Sequence, residues 1–131
     1  MKGKTVQFFK VGLVLDDLEQ AKTDGTLRKR LFQVNRAALL ILDDLGIKAR
    51  LSSTECELLL ELLDGRHGRG ATIITSQLPL TSWHEYLSAS YPTTADAILD
   101  RICTNAVKIE LLGESQRQLK NPVLGNEGST K

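Results

Sequence analysis

The residues best suited to chemistry are Asp43 and Asp44, because the aliphatic run Leu39-Leu40-Ile41-Leu42 leads without a break into this pair of carboxylates, followed by Leu45-Gly46. An apolar run without alternation suits a parallel strand covered on both faces, and such strands offer their ligand-binding residues at the carboxyl end. Two acids in that place match a Walker B motif. Asp43 would hold the water shell of a nucleotide-bound Mg²⁺, and Asp44 would orient the attacking water. The same letters also fit a core strand that ends in a solvated acidic turn.

Carboxylates at a strand tip need neighbouring strands and covering helices. The segment Val6 to Val11, rich in Val and Phe and closed by Gly12, predicts a first strand. Leu13, Leu15, Leu18 and Ala21 recur at helical spacing over 13–22, and Thr23-Asp24-Gly25 ends that helix. A second helix is expected over 26–34, with Leu27, Leu31 and Val34 inward and Arg28, Lys29 and Arg30 on a solvated face. The acid-tipped strand over 38–44 comes next.

Ser52-Ser53-Thr54-Glu55 supplies capping hydroxyls and an acid for a helix with the stripe Cys56, Leu59, Leu60 and Leu63, which Gly65 is expected to stop. The basic, glycine-rich stretch from Gly65 to Gly70 then enters the strand Ala71 to Ser76. It suits a surface turn better than a phosphate cradle, since it does not open a helix whose amides would face an anion. Short helical turns are expected at Trp83 to Leu87. Another helix follows Pro92, with Ala97, Ile98 and Ile102 inward, and a last strand covers about 106–112. Alternating strands and helices imply an α/β fold with a parallel sheet.

A chain of 131 residues, 41% hydrophobic and 25% charged, fits one globular domain with a real core. Its formal charge of +1 gives no global case for nucleic-acid binding, so any basic surface must be local. Cys56 and Cys103 form no Cys-x-x-Cys pair and are expected to be reduced, buried thiols. No apolar run approaches the ~18 residues of a bilayer span, and the start carries no secretory pattern, so the expected location is cytoplasmic.

Several motifs in order carry a resemblance: Leu39 to Gly46, Thr75-Ser76-Gln77-Leu78-Pro79 with Trp83-His84, Ala95 to Arg101, and Gly113-Glu114-Ser115-Gln116-Arg117. Together they resemble the IstB-like ATPases, AAA+ helpers of a bacterial transposase related to DnaC-type helicase loaders. The resemblance covers residues 3–117. It implies a three-layer P-loop NTPase core, ATP and Mg²⁺ as cofactors, and a transposase and DNA as partners. In its terms Asp43 is the metal-binding acid and Asp44 the water-activating acid. Ser76 or Gln77 is the sensor 1 residue, Gln77 being preferred. Arg101 is an arginine finger acting on a neighbouring subunit, and Arg117 a sensor 2-like phosphate contact.

The sequence departs from the family pattern at one point. It contains no Walker A loop, whose consecutive amides and lysine grip the β- and γ-phosphates, and Gly3-Lys4-Thr5 runs into a strand rather than a helix. The resemblance therefore implies a core incomplete at its amino-terminal end, over residues 1–117, with 118–131 as a flexible polar tail. It implies a truncated subunit that is inactive alone, with unpaired edges and exposed apolar surface. The alternatives are an assembly module that docks onto full-length subunits and donates Arg101, or a decayed reading frame; a homo-oligomer stays open. Lys48, Arg50, Arg66 and Arg69 are the candidates for DNA contact.

Overall fold

The computed structural model describes residues 4–47, 50–88, 92–104 and 109. The chain alternates β1 (Val6–Lys10), α1 (Val11–Asp24), α2 (Leu27–Asn35), β2 (Leu39–Leu45), α3 (Ser53–Arg66) and β3 (Ala71–Ser76). A 3-10 turn (Leu80–Ser82), α4 (Trp83–Leu87) and α5 (Pro92–Cys103) follow. The expected strand over 106–112, Arg117 and the 118–131 tail lie outside the described residues.

The sheet is parallel, in the order β1-β2-β3, so the acid-bearing strand is central. Its register places Phe8, Ile41 and Ile73 in one row and Lys10 beside Asp43. Helix α1 forms because Val11, Val14, Leu15, Leu18 and Ala21 fall on one face, and all are buried. Gly25, at φ 78°, ends it in the left-handed conformation that glycine adopts without a Cβ clash. Helix α3 starts on a capping box, in which the Ser52 hydroxyl accepts from Glu55 N and the Glu55 carboxylate accepts from Ser52 N.

The helices and one face of the sheet share a single core, where Leu15, Leu18, Leu40, Leu42, Leu62 and Ile98 are fully buried. The opposite face carries no helix among the described residues. Val6, Phe8 and Ile73 are 64%, 56% and 47% exposed. The α/β class and parallel sheet stand as expected, but the described residues furnish two layers of the implied three. Among the described residues β2 is covered on one face, Leu40 and Leu42 being buried while Leu39 and Ile41 are only half-buried, so the expected cover on both faces is not met by them. β1 and β3 are the edges of the described sheet.

Gly65 does not stop α3. The helix runs one residue further, because the Arg66 side chain is drawn inward to the start of the sheet. Its Nη1 donates to Asn35 O and Ala37 O at 2.7 Å each, Nη2 to Ala71 O at 2.7 Å, and Nε to Thr72 Oγ1 at 3.1 Å. Arg66 is 5% exposed, so it is a clasp between α3, the end of α2 with the link that leads into β2, and β3 rather than a surface cation. Cys56 is buried as expected, whereas Cys103 is exposed near the end of α5, a position with no core behind it.

Candidate functional site

The carboxyl end of β2 is irregular, and the irregularity governs where the acids point. Pairing with β3 is regular through Leu42↔Ile74 and resumes at Leu45↔Ser76, so Asp43 and Asp44 together stand opposite Thr75. This is a β-bulge, with one extra residue on the central strand. Without it, side chains would alternate and one of the acids would point into the core. With it, Leu42 and Leu45 are both buried while Asp43 and Asp44 are both partly exposed. Asp44 takes the left-handed conformation, with φ 65°, which Asp tolerates better than most residues.

The two carboxylates are tied to different neighbours. Thr75 Oγ1 donates to Asp43 Oδ1 at 2.5 Å and accepts from Asp44 N at 3.0 Å, which holds Asp43 toward β3. Lys10 Nζ donates to Asp44 Oδ2 at 3.4 Å, toward β1. That ion pair is open to solvent, the side chains being 58% and 30% exposed. A cavity of about 340 Å³ borders Asp44 on the β1 side, lined by Lys10, Gly12, Leu13, Asp16 and Tyr86 among others.

Ser76 and Gln77 stand at the same end of the sheet as the acids, but with different freedom. The Ser76 hydroxyl donates to Leu45 O at 2.7 Å and accepts from Leu78 N at 2.9 Å, so both of its roles are taken by backbone. Gln77 follows directly and is exposed. Thr75, which touches both acids, was not singled out in the sequence; aligning the carboxyl ends of two parallel strands would have put it opposite them.

Arg101 is not brought to this end. Its Nε donates to Asp64 Oδ1 at 2.5 Å, and Nη1 lies 3.5 Å from Asp100 Oδ2. Asp64 belongs to the last turn of α3, the turn whose Arg66 grips the link into β2 and the start of β3, so Arg101 sits beside the opposite end of the sheet. The hydrogen bond that Arg101 donates to Asp64, with the charge of that carboxylate, raises the Arg101 pKa above its ordinary value. Of the DNA candidates, Arg66 is buried in the clasp, Arg50 and Arg69 are exposed, and Lys48 lies outside the described residues. The basic stretch of α2 is partly bridged: Arg30 pairs with Asp17 of α1 and donates to Gln33 Oε1.

Comparison with known proteins places these features in a family. The family of IstB-like ATP binding proteins matches residues 1–122. An insertion sequence ATP-binding protein of Sinorhizobium fredii is 44% identical over 118 residues, 90% of this chain and 46% of that protein. The insertion sequence IS232 ATP-binding protein of Bacillus thuringiensis is 31% identical over 116 residues, 88% of this chain and 45% of that protein. The chain thus spans a little under half the length of these relatives. Among solved structures, the DnaC helicase loader superposes with a TM-score of 0.55 at 25% identity, covering 76% of this chain and 59% of that one. A chain matched over 1–122, with a parallel α/β core shared with a helicase loader, belongs to the IstB-like ATP-binding proteins.

Proposed function

We propose that Asp43 and Asp44 form the Walker B half of an ATP site, in a cytoplasmic subunit that serves a transposase on DNA. The observation that carries this reading is the bulge at the tip of the central parallel strand, which turns both carboxylates out of the core and ties them to different neighbours. Among the described residues no group of three or more His, Cys, Asp or Glu converges to cage a metal. A pair of hard carboxylates suits Mg²⁺, which keeps several waters and takes the rest of its ligands from phosphates. When bound, Mg²⁺ supplies neutralisation of charge on the β- and γ-phosphates.

The chain's own residues would divide the remaining work. Asp43, fixed by Thr75, accepts hydrogen bonds from the metal's water shell. Asp44 exchanges Lys10 for the attacking water and accepts its proton. Gln77, whose amide is exposed while the Ser76 hydroxyl is committed to backbone, orients that water. A phosphate-gripping loop is not among these residues, and the charge-assisted hydrogen bonds it would contribute are worth roughly 1.5–3 kcal/mol each. The chain alone is therefore expected not to turn over ATP.

The test joins this chain to the part of the Sinorhizobium fredii relative that it does not span. The fusion should hydrolyse ATP, and Asp44→Asn should lower its turnover by at least about 100-fold. Turnover by the chain alone that Asp44→Ala abolishes would overturn the reading. The position of Arg101, at the far end of the sheet from its own acids, favours a second role in trans. The chain should then stimulate a full-length subunit and Arg101→Ala should not; equal stimulation by both, or no association, disposes of that role. DNA binding, tested separately, should weaken steeply with salt.

A further inference from the structure

We propose that Thr75 is the positioning residue of this site, the single side chain that sets both the aim of Asp43 and the left-handed backbone of Asp44. The inference rests on the Walker B reading and adds a residue to it. A threonine hydroxyl has one proton to give. Here the proton goes to Asp43 Oδ1 at 2.5 Å, while a lone pair of the same oxygen receives Asp44 N–H at 3.0 Å. The two bonds define each other: because the oxygen accepts from Asp44, its proton is left to point at Asp43. A hydroxyl so engaged has no donor for a phosphate or a water, so Thr75 acts through the acids rather than on the reacting atoms.

The bulge makes the arrangement necessary. Between Leu42 and Leu45 the regular ladder to β3 is interrupted, and the Asp44 amide would lack its partner there without Thr75. The φ of 65° at Asp44 is a conformation that Asp adopts more readily than most residues but still at a cost, which surrounding bonds offset. Thr75 supplies such a bond from β3, and Lys10 holds the carboxylate of Asp44 from β1. Removing the hydroxyl while keeping the side-chain volume should free both features together.

The test uses the full chain with Thr75→Val, nearly isosteric but without the hydroxyl, and Thr75→Ser, which keeps it. Amide hydrogen exchange at Asp44 should become about tenfold faster in Thr75→Val and stay near the parent rate in Thr75→Ser. Mn²⁺ alone, used as a paramagnetic probe, should broaden the Asp43 and Asp44 amide signals in the parent and in Thr75→Ser, and much less in Thr75→Val at the same concentration. A general loss of structure would speed exchange across the core, so signals from Leu15 and Leu62 serve as the reference. Parent-like exchange at Asp44 in Thr75→Val overturns the proposal. So does a Thr75→Ser variant that has lost the protection, which keeps the test decisive even if Thr75→Val fails to fold. If Mn²⁺ broadens nothing in the parent, the metal-site reading fails, and exchange at Asp44 still decides what Thr75 does.

Discussion

Replacing Arg66 by Met should unsettle the fold more than any other change to a basic side chain in the described residues. Met keeps much of the aliphatic stem and removes the guanidinium, with its bonds to the backbone carbonyls of Asn35, Ala37 and Ala71 and to the Thr72 hydroxyl. The carbonyls of Asn35 and Ala37 meet Arg66 in the buried interior. Each buried acceptor left unpaired costs about 1–3 kcal/mol. Part of that is offset because a cation need no longer be held away from water, a cost visible in the lowering of the Arg66 pKa by burial and by the nearby charge of Arg69. A net loss of about 3 kcal/mol follows, which at a urea slope of about 1.5–2 kcal/mol/M moves the unfolding midpoint down by about 1.5–2 M. Equilibrium urea unfolding monitored by far-UV circular dichroism reads this directly, with Arg69→Met as the control expected to stay within about 0.5 kcal/mol. A midpoint shift under about 0.5 M for Arg66→Met would refute the clasp, most plainly if the same variant lost affinity for DNA.

Three more outcomes follow from local geometry. Asp44→Val, a β-branched residue forced to φ 65°, should lower stability by about 1–3 kcal/mol, while Asp44→Gly stays within about 1 kcal/mol of the parent in thermal unfolding. Gly65→Ala, a favourable change in an ordinary helix, should here be destabilising by about 1–3 kcal/mol, because its Cβ would fall 2.0 Å from Asn35 Nδ2 and Asn35 is 4% exposed. Burial, with the charges of Glu55 and Glu57, raises the Cys56 pKa, so the folded chain keeps the thiol proton longer than the unfolded chain does. Stability should therefore fall as pH rises past the ordinary thiol value of about 8.5, and Cys56→Ala should remove that slope. Consistent with this, a thiol reagent at pH 8 should label Cys103 at once and Cys56 only on unfolding.

Much of the scaffold was legible because short apolar runs and helical spacing are local signals. β2, β3, α1 and the Ser52 cap of α3 all fall within a residue or two of their sequence-derived places. What escaped depended on partners distant in sequence. Gly65 read as a stop because nothing nearby says that Arg66 will be pulled inward by carbonyls some 30 residues earlier. Arg66 itself read as a surface cation, since charge pattern cannot reveal a buried set of acceptors. At the site, the acids were visible as a pair at a strand tip, but the bulge was not. The one-residue slip exists only in the pairing with β3, and with it comes the role of Thr75. The exposed sheet face bearing Phe8 and Ile73 was legible only through the family resemblance, which implied exposed apolar surface, not from the residues themselves.

That open face makes concentration a structural variable for this chain. A row of Phe8, Ile41 and Ile73 set across three strands is a flat, greasy plane with no helix of the described residues upon it. Apolar surface left to water favours association as protein level rises, so melting temperatures and sedimentation profiles are expected to drift with the amount loaded, which dilution series would check.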